Sequence, residues 1–121
     1  MRFDQPGILD LLEQASQEEL DAAGFGIVRM GPDGVVRAYN RAESALSGLG
    51  PDKVVGRHFF TDVAPCTNNF MVAQRFLDQS TLDQTIDYVF TFRIKPTAVR
   101  LRMLRSPSAD GMYLLVEKRP A

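Results

Sequence analysis

Alternating apolar and polar positions in the last third of the chain predict three antiparallel strands. The first strand presents one wholly apolar face, made by Ile86, Tyr88, Phe90, Phe92 and Ile94. Apolar residues alternate with arginines over 99–103 and predict the second strand, and the third covers 113–116 after the Asp110-Gly111 turn. Earlier in the chain, apolar positions flank Gly31-Pro32-Asp33-Gly34, whose residues favour turns, so residues 25–38 are predicted to form a hairpin.

Short helices are predicted between the hairpin and the later strands. Residues 40–47 have a helical pattern that Gly48 ends in a C-cap position, and a second short helix is expected over 51–55. A third is expected to begin near Asn68 or Asn69, both good N-caps. Its inward-facing residues are predicted to be Met71, Val72, Phe76 and Leu77. This order of elements is typical of an α+β domain built on one five-stranded antiparallel sheet.

Residues 1–23 predict a polar helical segment in front of this domain. Its apolar residues Ile8, Leu11 and Leu12 are spaced for one helical face. Ser16 and Glu19 have the spacing of a capping box, which would direct Leu20 toward the domain. The segment is too short and polar to form its own core, so we expect an N-terminal helical cap on a domain of residues 24–121.

Composition narrows the class of protein. The chain has 121 residues, and 45% of them are hydrophobic, which suits one folded domain. Fourteen basic and fifteen acidic residues give a net charge of −1, which argues against binding nucleic acid or an anionic membrane. With one cysteine and one histidine, an internal disulfide and a Cys- or His-rich metal site are excluded. No apolar run approaches the length of a membrane span, and the N-terminus MRFDQPG lacks the basic-then-apolar layout of a signal peptide, so the sequence predicts a soluble, cytoplasmic protein.

Cys66 is the first candidate for chemistry. It lies just before the helix predicted near residue 68, whose positive dipole end would favour a nucleophilic thiolate. The alternative is a small buried residue with no chemical role, as free cysteines often are. His58 and Cys66 together would suggest a cysteine hydrolase, but no Asn or Asp is obviously placed to orient the histidine, and no nucleophile motif surrounds the cysteine.

Tyr39, Glu43 and Ser47 are the second candidate. They follow at intervals of four residues, so a phenol, a carboxyl and a hydroxyl can line one helical face and hold an anion by hydrogen bonds. If Glu43 is buried without a cation, desolvation raises its pKa and keeps it protonated. The alternative is an exposed polar helix face.

Several arginines in the strand region could form a positive stripe, namely Arg93, Arg100, Arg102 and Arg105. Alternation places Arg100 and Arg102 opposite the core face, so the sequence favours an ordinary solvated sheet surface for both.

Two stretches resemble the photoactive yellow protein family, which consists of small PAS-fold blue-light receptors. They are Tyr39-Asn40-Arg41-Ala42-Glu43 and residues 56–67, with the sequence GRHFFTDVAPCT. The first stretch alone would indicate only a PAS domain, whereas its combination with the cysteine-containing stretch is specific. The resemblance runs from about Gly24 to the last strand and includes Asp87-Tyr88 and Lys95-Pro96-Thr97.

The resemblance implies a chromophore site. In that family a cysteine forms a thioester with p-coumaric acid (4-hydroxycinnamic acid), which makes Cys66 the attachment point. Tyr39 and Glu43 would hydrogen-bond the phenolate oxygen, and Ser47 would support Tyr39. The backbone amide of Cys66 would hold the thioester carbonyl. The remaining chromophore-binding residues implied by the resemblance are Val28, Phe59, Val63, Ala64, Thr67, Phe90, Phe92 and Ile94.

The resemblance also implies how such a protein signals. Light would drive a trans-to-cis isomerisation, Glu43 would pass its proton to the phenolate, and residues 1–23 would partly unfold in response to the buried carboxylate. The expected protein is a non-enzymatic sensor with a downstream signalling partner, present as a monomer or weak dimer.

Three departures from the family pattern stand out. Leu49 occupies the position of an arginine that lies over the chromophore, Ser47 replaces a threonine, and the segment 67–70 is shorter than usual. The alternative function is a PAS signalling or ligand-binding module without this chromophore, which would tolerate loss of Cys66, Tyr39 or Glu43. An enzyme is the third possibility.

Overall fold

The framework of the protein is an antiparallel sheet of five strands. In the computed structural model, which describes residues 1–91 and 95–120, the strands are β1 Gly26–Met30, β2 Val36–Tyr39, β3 Leu82–Phe90, β4 Thr97–Arg105 and β5 Met112–Lys118. Their spatial order is β2-β1-β5-β4-β3, and each neighbouring pair is antiparallel. The predicted α+β class, the hairpin and the three later strands are confirmed.

Short helices lie before the sheet and between β2 and β3. They are α1 Ile8–Gln14, α2 Gln17–Asp21, α3 Arg41–Ser47, α4 Pro51–Val54 and α5 Ala73–Asp78, with a π-helical turn at Phe59–Val63 and a 3₁₀ turn at Pro65–Thr67. The predicted capping box starts α2, because Ser16 Oγ accepts from Glu19 N and the Glu19 carboxylate accepts from Ser16 N. Gly48 ends α3 with a φ of 78°, a conformation that favours glycine.

The two faces of the sheet bury two separate hydrophobic clusters. Val28 and Leu114 belong to a cluster that also contains residues of α4, α5 and the π-helical turn. The adjacent residues Ile27 and Leu115 belong to the other cluster, with apolar residues of the N-terminal segment. Because successive strand residues point to opposite faces, the strands separate a helix-covered face from a face covered by residues 1–23.

Arg102 corrects the expectation of a solvated arginine face on β4. Its side chain is 8% exposed and forms a salt bridge to Asp83, with Nε 2.8 Å from Oδ1. Its Nη1 donates to the backbone carbonyls of Phe3 and Gln5, which cover it. Alternation placed Arg102 on the correct face, but the N-terminal segment excludes water there. Arg100, by contrast, remains 45% exposed beside Glu117.

Three predictions about helix faces and bounds were wrong. Leu11 is 45% exposed and Leu77 is 68% exposed, whereas their neighbours Leu12 and Phe76 are fully buried. Helices α1 and α5, which contain these residues, are short, and only a narrow stripe of each reaches the core. The third predicted helix begins at Ala73, not near residue 68. Asn69 caps the preceding turn instead, because its Oδ1 accepts from Met71 N and Val72 N.

Candidate functional site

The predicted row of Tyr39, Glu43 and Ser47 is assembled in the interior. Tyr39 ends β2, and Glu43 and Ser47 lie one turn apart on α3, so all three side chains meet. The Tyr39 hydroxyl donates to Ser47 Oγ at 2.8 Å and lies 3.4 Å from Glu43 Oε2. Tyr39 and Glu43 are 0% exposed. The alternative of an exposed polar helix face is therefore wrong.

Glu43 is a buried carboxyl, and none of the described residues places a cation against it. Its Oε1 has no hydrogen-bond partner among the described residues. Desolvation raises the pKa of Glu43 to about 8, outweighing the lowering by its contact with Tyr39. Burial likewise raises the pKa of the Tyr39 hydroxyl above its usual value. At neutral pH the site thus presents two protonated groups, both able to donate a hydrogen bond.

Asn40 connects Glu43 to the N-terminal segment. Its Oδ1 accepts from Glu43 N at 3.0 Å, which caps α3, and from Ile27 N at 2.9 Å. Its Nδ2 donates to the carbonyls of Leu20 at 2.8 Å and Phe25 at 2.9 Å. One fully buried amide therefore bonds to helix α3, to the start of β1 and to the segment that covers the opposite sheet face.

Cys66 lies inside the 3₁₀ turn and not at the start of a helix. Helix α5 begins seven residues later, so the expected activation of Cys66 by a helix dipole was wrong. The Cys66 carbonyl accepts hydrogen bonds from the Tyr88 hydroxyl and from Asn69 Nδ2. Asn69 Nδ2 also lies 2.7 Å from Tyr88 Oη. These contacts fix the peptide plane on the C-terminal side of Cys66.

A cavity of about 330 Å³ contains the cysteine. Its lining residues are Ser47, Leu49, Val63, Ala64, Pro65, Cys66 and Thr91. Ser47 links this cavity to the buried pair, because its Oγ accepts from Tyr39. Leu49 forms part of the wall, so the residue at the position of the family arginine contributes no positive charge.

The other predicted lining residues are gathered around this site. Val28, Phe59, Val63, Ala64 and Phe90 belong to the same hydrophobic cluster as Tyr39, and Cys66 packs against it. Thr67 is also buried, but its hydroxyl donates to the carbonyl of Ala64 at 2.6 Å. Phe92 and Ile94 lie outside the described residues.

His58 performs a local structural role. Its Nδ1 accepts from Thr61 N, which caps the π-helical turn, and its ring packs near Phe60. Its Nε2 faces Gly34 of the hairpin turn, where an added Cβ would stand 2.7 Å away. Within residues 1–91 and 95–120, these contacts do not pair His58 with Cys66, and no cluster of three metal-ligating side chains occurs.

Several residues that shape the site were not assigned to it from the sequence. Alternation along the predicted strand assigned Thr91 to the face opposite Phe90, but β3 ends at Phe90 and Thr91 lines the cavity. Tyr88 and Asn69 were recognised as a strand residue and a cap, but their joint contact with Cys66 joins residues far apart in sequence. Gly26 leaves room for the Glu43 carboxyl, because a Cβ at this position would overlap Glu43 Oε1. Only the identity of Gly26 inside a strand signalled a close approach.

Known proteins resemble this chain in sequence and structure. A family model described as PAS fold matches residues 20–117. The photoactive yellow protein of Rhodothalassium salexigens is 31% identical over 121 residues, 98% of this chain and 97% of that protein. The one from Rhodobacter capsulatus is 30% identical over 97 residues, 78% of each chain.

A solved structure agrees with these relatives. It is the photoactive yellow protein domain from the sensor histidine kinase Ppr of Rhodospirillum centenum, with 39% identity and a TM-score of 0.84, covering 91% of this chain and 99% of that chain. The PAS domain of an HTR-like protein from Haloarcula marismortui, at 15% identity and a TM-score of 0.64, shares the fold. In the described residues, no helix has the length and apolar character needed to cross a membrane. The PAS fold and the full-length similarity together establish that the chain belongs to the photoactive yellow protein family.

Proposed function

We propose that this protein is a blue-light receptor that carries p-coumaric acid as a thioester on Cys66 Sγ. The observation that carries the proposal is a buried carboxyl, Glu43, with one unpartnered oxygen, joined through Tyr39 and Ser47 to the cavity that contains Cys66. Cys66 is the only cysteine of the chain, so a thioester has a single possible site.

The donors around this cavity suit a phenolate. An anion buried in a protein needs hydrogen-bond donors or a cation, and the wall residue Leu49 supplies neither. Protonated Glu43 and Tyr39 supply two neutral donors, and Ser47 orients Tyr39. When bound, the chromophore supplies absorption of blue light and isomerisation of its double bond. Val63 and Ala64 would supply aliphatic contacts to the chromophore.

Proton movement at Glu43 provides the signal. In the dark, Glu43 holds the proton of its carboxyl, because desolvation disfavours the charged form. When Glu43 gives up this proton, it becomes a buried carboxylate with no cation in contact among residues 1–91 and 95–120. Such an ion costs several kcal/mol even after relaxation, so the surrounding structure is driven to admit water.

The N-terminal segment is the element that we expect to yield. Residues 1–23 form the cap and residues 24–121 the PAS domain in this proposal, and Asn40 joins them through its bond to the Leu20 carbonyl. The cap contains short helices and is held to the sheet partly by bonds from Arg29 to the Leu12 and Ala15 carbonyls. Local opening of one such segment requires less free energy than global unfolding.

The proposed protein is a sensor and not an enzyme, and its output passes to a signalling partner. A related domain belongs to a sensor histidine kinase, which supports a kinase-linked partner for this chain. A cytoplasmic location and a monomeric or weakly dimeric state remain predictions.

Reconstitution tests the proposal. The purified chain is incubated with activated p-coumaric acid, and its intact mass and visible spectrum are recorded, with Cys66→Ser as the control that leaves no thiol. We expect a mass gain of one coumaroyl group, a blue-absorbing band that bleaches in light, and neither in the control. An adduct that absorbs only as a neutral phenol, or no adduct, would contradict the proposal and favour a PAS module without this chromophore.

A further inference from the structure

A second cavity, which shares no lining residue with the Cys66 cavity, opens between α3 and the ends of β1 and β5. Its volume is about 310 Å³. Its lining residues are Gly24, Phe25, Gly26, Ala42, Ala45, Leu46, Val116, Glu117 and Lys118. We name it the Gly26 cleft, after the residue that connects it to the site described above.

The cleft exists because small residues face each other where α3 packs on β1. Gly26 at the start of β1 and Gly24 just before it form one side, and Ala42 and Ala45 of α3 form the other. Gly24 and Ala45 are exposed, so the small residues leave a groove that is open to solvent and that no side chain fills. The volume corresponds to several water molecules at about 30 Å³ each.

Glu43 lies directly behind Gly26, a wall residue of this cleft. A Cβ built on Gly26 would overlap Glu43 Oε1 and lie 3.2 Å from Glu43 Cδ, so the carboxyl rests directly against the Gly26 backbone. The Glu43 side chain is fully buried, and Oε1 has no hydrogen-bond partner in the described part of the chain. Oε2 lies instead near the Tyr39 hydroxyl. The two oxygens of one carboxyl thus have different neighbours: Oε2 faces the Tyr39 hydroxyl, and Oε1 faces the backbone of Gly26, which separates it from the cleft.

We propose that the Gly26 cleft is the path by which water reaches Glu43 and exchanges its carboxyl proton with the solvent, independently of the Cys66 cavity. In the forward step, the O–H bond of the carboxyl breaks and its proton passes to a water oxygen; the reverse step returns a proton from hydronium to the carboxylate. A buried oxygen without a partner gains a hydrogen bond when water arrives. The titratable residues Glu117 and Lys118 line the cleft, and the Tyr39 hydroxyl faces Glu43 on the other side.

The consequence for a light cycle rests on the proposed function: the cleft is where Glu43 recovers its proton from water after giving it up. The exchange itself requires only the carboxyl and the cleft. Reconstitution therefore decides the proposed function separately, by mass and spectrum, before the cleft is tested.

The test measures proton exchange at Glu43 in the dark. Protein is diluted into D₂O, and infrared spectroscopy follows the shift of the protonated carboxyl band, assigned by its absence in Glu43→Gln. Ala45→Phe covers the cleft from its exposed rim, and Leu46→Ala widens it. Ala109→Phe, in the turn before β5 and at the far end of that strand from the cleft, adds the same bulk elsewhere.

We expect Ala45→Phe to slow the exchange about tenfold, equal to a barrier raised by about 1.4 kcal/mol, and Leu46→Ala to accelerate it. Ala109→Phe is expected to leave it unchanged. The exchange rate is measured on the coumaroyl adduct and on the unmodified chain. In the unmodified chain water can also reach Glu43 through the Cys66 cavity, so slowing by Ala45→Phe can be masked. Acceleration by Leu46→Ala is decisive there, because water entering through the widened cleft adds to that second route. Equal exchange in wild type, Ala45→Phe and Leu46→Ala, or equal slowing by Ala109→Phe, would overturn the proposal.

Discussion

Replacing Glu43 by glutamine tests the buried protonated carboxyl without any chromophore. Glutamine keeps the size of the side chain and is neutral at every pH. Glu43 in the folded state has a pKa of about 8 because of desolvation, against 4.5 for an exposed carboxyl. The folded chain therefore retains the Glu43 proton over a pH range in which the unfolded chain releases it.

The sign of the pH effect follows from this difference. The stability contributed by neutral Glu43 is fully present below about pH 4.5 and is lost as the pH rises to about 8, since only the unfolded state then ionises freely. Within that window the unfolding free energy falls by about 1.4 kcal/mol per pH unit. The difference between the two pKa values gives a total of about 5 kcal/mol. This total is an upper limit, because water entering the Gly26 cleft lowers the cost of the ionised form.

Urea unfolding of both chains between pH 5 and 9 measures the effect. We expect wild type and Glu43→Gln to differ little near pH 5, and Glu43→Gln to become the more stable chain by several kcal/mol at pH 9. The exposed Glu18→Gln serves as the control, because it removes one carboxyl without changing the interior. Other groups titrate equally in all three chains and cancel in the comparison. Parallel pH profiles for wild type and Glu43→Gln would refute a buried, protonated Glu43.

Further substitutions probe the neighbouring elements. Asn40→Ala removes the buried amide that caps α3, and chemical unfolding should show a loss of about 2–4 kcal/mol, with Asn40→Asp intermediate because it keeps only the acceptor; equal stabilities would contradict its bridging role. Glu43→Gln should shift the visible band of the coumaroyl adduct while attachment, measured by mass, is retained; an unchanged band would remove Glu43 from the phenolate site. Leu49→Arg places a cation on the cavity wall and should lower the pH at which acid abolishes the adduct's phenolate band by about one unit, whereas Leu49→Gln should not; identical acid titrations would place this residue away from the phenolate. Arg102→Met should speed proteolysis within residues 1–7, since their carbonyls lose a buried donor, and the exposed Arg57→Met should leave the cleavage rate unchanged.

Local signals in the sequence predicted those features that depend on a few neighbouring residues. The Ser16–Glu19 box and the end of α3 at Gly48 depend on hydrogen bonds within one helical turn, and both are confirmed. The four-residue spacing of Tyr39 and Glu43 likewise determined that their side chains meet. The spacing does not predict whether the row of Tyr39, Glu43 and Ser47 is buried, because its burial depends on packing against β1 and on the space left by Gly26.

Features that depend on segments far apart in the chain were not predictable in this way. Alternation identified the sheet face of Arg102, but the water-excluding contact comes from Phe3 and Gln5, nearly 100 residues away. The apparent helix start near Cys66 was misleading because Asn69 caps a turn rather than a helix. The sequence around Asn69 is compatible with a turn and with a helix start, since an Asn side chain accepts hydrogen bonds from backbone N–H groups in either structure.

The hydrogen bonds of Asn40 determine how the free energy of an ionised Glu43 can be lowered. Asn40 already uses its oxygen to accept two hydrogen bonds and its nitrogen to donate two, so it can turn toward a carboxylate only by releasing the Leu20 or Phe25 carbonyl. Such a bond contributes about 0.5–1.5 kcal/mol net to stability, whereas an unpaired buried carboxylate costs several kcal/mol. The free energy of the ion therefore exceeds that of the bond holding the N-terminal segment near Leu20. Water entering through the Gly26 cleft acts in the opposite direction, because each hydrogen bond to Oε1 lowers the free energy available to displace that segment. Widening the cleft by Leu46→Ala should thus weaken the opening of residues 1–23 in light while it speeds proton exchange, a pairing that simple destabilisation of the fold would not produce.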